Sequence, residues 1–193
     1  YTKIKASPVS ATMKSLPDRP AMNPLPYLRP PGAKLRPRLK ACRVLGIDLG
    51  TTNSTVAEIR WSPESPEEIA PATCLEIAQP TLSGDFTSVL VPSVVSQLAD
   101  RQLVGEGARR CLSRSVELGL RPFVTYLAEA KNEMGIGRTY PQAKSGCRSP
   151  AEVSGQVLRF LRDQTPGAVA RSVVTVPASF QISQREDTLL AAD

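Results

Sequence analysis

The chain has 193 residues, of which 41% are hydrophobic and 22% charged, and a formal net charge of +6. That composition suits a soluble globular domain with a core of its own, or part of a larger one, and no apolar run reaches membrane-spanning length. Histidine is absent, which excludes serine–histidine and cysteine–histidine nucleophilic chemistry within this chain, and with it any histidine-ligated metal. The four cysteines (Cys42, Cys74, Cys111 and Cys147) stand more than thirty residues apart with no Cys-x-x-Cys pair. Neither a zinc site nor a disulfide framework is indicated, no secretory signal pattern is present, and a reducing, cytoplasmic setting is expected.

The charge is unevenly placed. Residues 1–43 carry ten Lys/Arg against one acidic residue, Asp18, whereas residues 44–193 carry fourteen Lys/Arg against seventeen Asp/Glu. The basic character therefore belongs to the leader, and a nucleic-acid-binding domain is not indicated. Eight of the eighteen prolines also fall in residues 1–43. Proline at this density opposes helices and ladder pairing, so a disordered, Pro-rich basic leader is expected over 1–43. A flexible arm for acidic partners, a targeting segment and upstream sequence without function all remain open for it.

The ordered part is expected from residue 44. Val44, Leu45 and Ile47 form an apolar strand that runs into Asp48, followed by the turn Gly50-Thr51-Thr52-Asn53-Ser54 and a second β-prone run, Thr55–Ile59. Glycine at position 50 is expected to supply a positive φ and close backbone approach. Successive N–H groups in such a turn, with the Thr51 and Thr52 hydroxyls, suit phosphate oxygens. A carboxylate at the strand end suits Mg²⁺, which takes one or two carboxylates with waters and phosphates. The plainer reading of the same residues is an ordinary hairpin turn.

Further along, residues 61–68 read as a proline-marked turn, 69–79 as a strand and 81–85 as another turn. The run Val89–Ser96 is β-rich but interrupted by Pro92, which suits an edge or a bulge. Leu103-Val104 reads as a short strand leading into a helix over 107–117, and 123–134 as a helix stopped by Gly135 and Gly137. Ser149-Pro150-Ala151-Glu152 gives an N-cap serine, proline at the first helical position and a glutamate three residues after the cap. Val153, Val157, Leu158 and Leu161 then share one face, ended by Thr165-Pro166-Gly167. Ser172–Pro177 reads as a nearly continuous apolar strand of a sheet buried on both faces. Ser183-Gln184-Arg185-Glu186 reads as a capping box opening a last helix.

Five segments in order resemble the nucleotide-binding domain of the heat shock protein 70 (DnaK-type) chaperones, members of the actin-like ATPase superfamily. They are Gly46–Ser54, Val91–Val95, Leu103–Arg110, Ala130–Arg138, and Val173–Phe180 with Ser183–Arg185. The resemblance covers nearly all of 44–193. It implies an α/β, actin-like (ribonuclease H-like) fold, with residues 44–193 as the first lobe of the ATPase domain, truncated at its C-terminal end. The absent initial methionine and the stop inside a helix suggest a piece of a longer protein.

By position, the resemblance makes Asp48 the carboxylate that organises Mg²⁺ through water, and Gly50, Thr51, Thr52 and Asn53 the holders of the ATP β- and γ-phosphates. It makes Lys131 the contact to the γ-phosphate and the attacking water. Pro177 and Arg185 match positions that relay nucleotide state toward the interdomain linker. The implied cofactors are ATP and Mg²⁺, and the implied partners are ATP/ADP, unfolded polypeptide clients and co-chaperones, in a stress-response role. The catalytic glutamate, second phosphate loop and adenosine-binding segments would lie beyond Asp193, so the isolated chain is expected to bind ATP weakly and not to hydrolyse it. Two other readings stay open: a different actin-fold ATPase (a small-molecule kinase or a filament-former), and a degenerate, non-catalytic binding module. There is no Gly-Lys-Ser/Thr, and neither Gly105-Glu-Gly107 nor Gly135-Ile-Gly137 has the third glycine of a dinucleotide fingerprint.

Overall fold

A computed structural model describes residues 41–64 and 71–193; most of the leader, residues 1–40, and part of the 61–68 turn lie outside the described residues. The chain is mixed α/β. Strand β1 (Cys42–Asp48) buries Leu45 and Ile47 at alternate positions, with Leu49 just beyond it also buried, the period-2 pattern of a strand on a core. It runs antiparallel to β2 (Asn53–Trp61) and parallel to β10 (Arg171–Thr175), and β2 continues to β3 (Thr73–Cys74). The short β6 (Val91–Pro92) joins β2 at its start, with Asn53 opposite Pro92. A hairpin, β4 (Ile77–Thr81) and β5 (Gly84–Ser88), forms a two-stranded sheet of its own, with Ile77 in the main core. A second antiparallel sheet has the order β8 (Gln102–Val104), β7 (Val94–Gln97), β9 (Tyr126–Ala128).

Among the described residues, three α-helices complete the fold: α1 (Glu106–Cys111), α2 (Pro150–Asp163) and α3 (Ile182–Ala192). The start of α2 follows its sequence signals. The Ser149 hydroxyl accepts the Glu152 N–H at 3.2 Å, and Pro150 opens the helix, satisfying one of the free N-terminal donors. Val153, Val157, Leu158 and Leu161 are buried with Leu45, Ile47, Val56 and Val91 in the main core. A smaller cluster under α1 gathers Val94, Leu98, Leu103, Ala108 and Cys111.

The structure corrects several local expectations. Residues 123–134 are not one helix: Tyr126–Ala128 pair with Val94–Ser96 as β9, and Ala130–Glu133 make a short 3₁₀ turn. Phe123 and Glu129 lie at φ 58° and 56°, left-handed values that break a right-handed helix on both sides of β9. The helix expected over 107–117 ends at Cys111, because beyond it Leu112 and Val116 are exposed and offer no buried face. The 69–79 strand is two pieces, β3 and β4. The run 89–96 splits at Ser93 into β6 and β7, which serve different sheets. Strand β10 lies at the edge of its sheet among the described residues, with Val173 57% exposed, rather than buried on both faces. Finally, α3 is capped by Gln181, whose N–H donates to the Gln184 side chain at 3.0 Å, so the Ser183 capping box does not form.

Candidate functional site

The Gly50–Ser54 turn leaves the end of β1 and enters β2, pinned from beneath. The Gly50 N–H donates to Ser54 Oγ at 3.3 Å, Ser93 Oγ donates to the Gly50 carbonyl at 2.8 Å, and the two hydroxyls lie 2.9 Å apart. The Ser93 N–H donates to the Thr52 carbonyl at 2.9 Å. Ser54 and Ser93 are both buried, so this serine pair fixes the turn's backbone while leaving Thr52 and Asn53 exposed. Gly50 is needed for a reason other than the expected one. Its φ is not among the positive values; instead a Cβ there would sit 1.9 Å from the Asn53 carbonyl oxygen. The turn is folded so tightly that no side chain fits.

Two distant segments converge on this turn. Asp48 is exposed at the end of β1, and its Oδ1 accepts the Thr175 hydroxyl at 2.8 Å, because β1 and β10 pair with Asp48 opposite Thr175. Lys131, in the 3₁₀ turn after β9, reaches back so that Nζ donates to the Leu49 carbonyl at 2.5 Å, between Asp48 and Gly50. The same ammonium lies 5.3 Å from the centre of the Phe180 ring, within range of a cation–π contact. Burial pushes the Lys131 pKa below the ordinary lysine value, and the Asp48 charge opposes that shift. The next residue, Asn132, accepts the Thr51 hydroxyl at 3.2 Å.

Five of the expected phosphate- and metal-site residues (Asp48, Gly50, Thr51, Thr52 and Asn53) thus lie on one continuous turn, with Lys131 docked on it. Pro177 and Arg185 lie outside this turn, Pro177 two residues after β10 and Arg185 in the first turn of α3. The Phe180 N–H donates to the Pro177 carbonyl at 3.1 Å. The Arg185 guanidinium donates to the Phe180 and Ala178 carbonyls at 3.1 and 3.3 Å. Phe180 is the link, held by Arg185 through its carbonyl and set against Lys131 through its ring. Sequence reasoning assigned nothing to Ser93, Asn132, Thr175 or Phe180. Only the small, buried-in-an-apolar-run character of Ser93 could have marked it.

The chemistry of the donor set suits Mg²⁺ held mainly by water and phosphate. Asp48 is a single exposed carboxylate, and among the described residues no cluster of three or more His, Cys, Asp or Glu could form an all-protein cage. Among the described residues, no helix is long and apolar enough to cross a membrane.

The described residues thus form a mixed α/β fold with a glycine turn after its first strand, a carboxylate at the strand end and a lysine docked on the turn. Comparison with known proteins gives the family. The chain is 32% identical over 180 residues to a "Chaperone protein HscA homolog" of Pseudomonas paraeruginosa, covering 84% of this chain and 26% of the relative. It is 33% identical over 187 residues, with the same coverage, to the homologue of that name from Pseudomonas aeruginosa. It is 32% identical over 149 residues to the "Chaperone protein DnaK" of Mesomycoplasma hyopneumoniae, covering 75% of this chain and 21% of the relative. No family model matches. The chain belongs to the heat shock protein 70 family of chaperones. It spans about a quarter of the length of the curated relatives it matches.

Proposed function

We propose that residues 44–193 form the first lobe of an actin-like ATPase domain, in a chaperone that couples ATP binding and hydrolysis to the binding and release of polypeptides. The observation that carries this reading is the Lys131 ammonium on the Leu49 carbonyl, 2.5 Å away, between the Asp48 carboxylate and the Gly50 turn. A cation, a carboxylate and the N–H and hydroxyl groups of one turn form a site matched to a polyphosphate with its metal. Phosphoryl transfer is catalysed mainly by positioning and charge neutralisation, which these groups supply.

In this reading the turn Gly50, Thr51, Thr52 and Asn53 holds the β- and γ-phosphates, the Gly50 N–H and the Thr51 hydroxyl exchanging Ser54 and Asn132 for phosphate oxygens. Asp48, oriented by Thr175, holds the water shell of Mg²⁺; the bound ion supplies charge neutralisation of the phosphate oxygens. Lys131 gives up the Leu49 carbonyl to meet the γ-phosphate and to orient the attacking water. Pro177 and Arg185, tied to Lys131 through Phe180, carry the nucleotide state outward. Unfolded polypeptides and co-chaperones are the partners of the whole protein, in a cytoplasmic setting.

Calorimetry of Mg·ATP binding to the full-length protein tests this, beside Asp48→Ala and Lys131→Ala. The expected result is binding weakened by Asp48→Ala, and turnover reduced about 10²-fold or more by Lys131→Ala with binding retained. The 193-residue chain alone should bind ATP weakly and show no turnover. A folded full-length protein that does not bind Mg·ATP would refute the ATPase and favour a non-catalytic binding module.

A further inference from the structure

The five residues Met134–Arg138 follow the Lys131 turn directly and take no part in the phosphate chemistry above. The Gly135 N–H donates to Asp187 Oδ2 of α3 at 2.7 Å, with Gly135 at φ 78°. A Cβ on Gly135 would lie 2.7 Å from Gln184 Cγ and from Ser183 Oγ, and 2.9 Å from the Gln184 backbone nitrogen. The first turn of α3 therefore presses on this backbone as closely as glycine alone permits. Beside it, Met134 is fully buried, and its sulfur lies 3.9 Å from the Thr188 hydroxyl, one residue along α3. The Met134 N–H in turn donates to the Lys131 carbonyl at 3.3 Å. An amide-to-carboxylate bond is charge-assisted, about twice as strong as a neutral one.

We propose that Asp187 is a positioning residue for Lys131: by holding the Gly135 N–H, its carboxylate fixes the turn that delivers the lysine to the phosphate loop. The proposal rests on the ATPase reading above. Asp187 touches neither the Gly50 turn nor Asp48; it acts through Gly135, Met134 and the short 3₁₀ turn. Phe180 meets the same ammonium from the loop leading into α3, so the helix grips the lysine-bearing turn at its backbone and its side chain tip together. The lysine and α3 then move as one body, and a shift of the helix alters where the ammonium sits. A small misplacement of a catalytic cation costs rate more than affinity.

The experiment combines amide hydrogen exchange at Gly135, read by NMR on the 193-residue chain, with single-turnover ATP hydrolysis by the full-length protein. Asp187→Ala is expected to speed Gly135 exchange about tenfold or more, and to slow the hydrolytic step about tenfold while the KM for Mg·ATP changes less than about twofold. Asp187→Asn, whose amide oxygen still accepts the bond, is expected to restore most of the rate. Unchanged Gly135 exchange in Asp187→Ala, an unchanged rate, or an Asn variant as slow as the Ala variant each overturns the proposal. Wild-type full-length protein that fails to bind Mg·ATP overturns the ATPase reading instead, and the Gly135 exchange still decides whether Asp187 holds the Gly135 N–H.

Discussion

Replacing Gly50 by alanine probes the turn without touching any charged group. The added Cβ would meet the Asn53 carbonyl oxygen at 1.9 Å and its carbon at 3.1 Å. An ordinary carbon–oxygen contact is about 3.3 Å, so the two segments must part by more than ~1 Å. Asn53 is not free to yield, because it opens β2 opposite Pro92 of β6, and Ser93 holds both the Gly50 and the Thr52 carbonyls. Forced overpacking of this kind costs about 1–3 kcal/mol, which for a domain of this size lowers the melting temperature by roughly 2–4 °C per kcal/mol. Thermal unfolding of the variant followed by circular dichroism reads that cost. The same displacement moves the phosphate-facing N–H groups, so Mg·ATP affinity of the full-length protein should fall about tenfold or more. An alanine variant that melts with the wild type would refute the argument that sterics, rather than φ, demand glycine here.

Two further expectations concern charge and sulfur. Glu106, 4% exposed, accepts from Arg109 at 2.7 and 2.8 Å and from Arg110 at 2.8 Å, and chiefly the Arg109 bond holds its pKa below the ordinary carboxylate value. A depressed carboxylate stabilises the fold above its unfolded pKa and loses that contribution as pH falls through the folded value. Glu106→Gln should therefore cost about 1–2 kcal/mol at pH 7 and flatten the loss of stability below about pH 4.5, measured by urea unfolding across pH. Equal acid sensitivity in the variant would contradict the assignment. Burial pushes the Cys147 thiol up to about 11 and raises Cys111 as well, whereas Cys74 is exposed. Alkylation of the folded chain at pH 8, read by peptide mass spectrometry, should label Cys74 first and leave Cys147 and Cys111 unmodified; early labelling of Cys147 would show that the core is open there.

Legibility in the sequence followed the range of the interactions. The start of α2 was readable because the cap, the proline and the apolar face all lie within one stretch and agree. The Gly50 turn was readable as a candidate phosphate loop for the same reason, although residue type alone could not separate a need for positive φ from a need for space. Residues 123–134 were misread because Leu127, Ala128 and Ala130 favour a helix locally, while pairing of Tyr126–Ala128 with β7 decides otherwise. The partners of the site were beyond reach altogether. Thr175 stands beside Asp48 only through the register of β10 on β1, and Asn132 beside Thr51 only once the 3₁₀ turn is packed.

The Thr175–Asp48 bond joins residues 127 positions apart, and that separation says when the site comes into being. Parallel pairing of β10 with β1 must wait until the whole intervening chain has closed into a loop, the slow and entropically costly step of such a topology. The β1–β2 hairpin and the glycine turn between them need only neighbouring residues and can form early. The carboxylate is therefore built at the start of folding but oriented at its end. A ligand that needs Asp48 in its final pose would bind only chains that have completed this closure, so nucleotide binding would report the finished fold as well as serve its function.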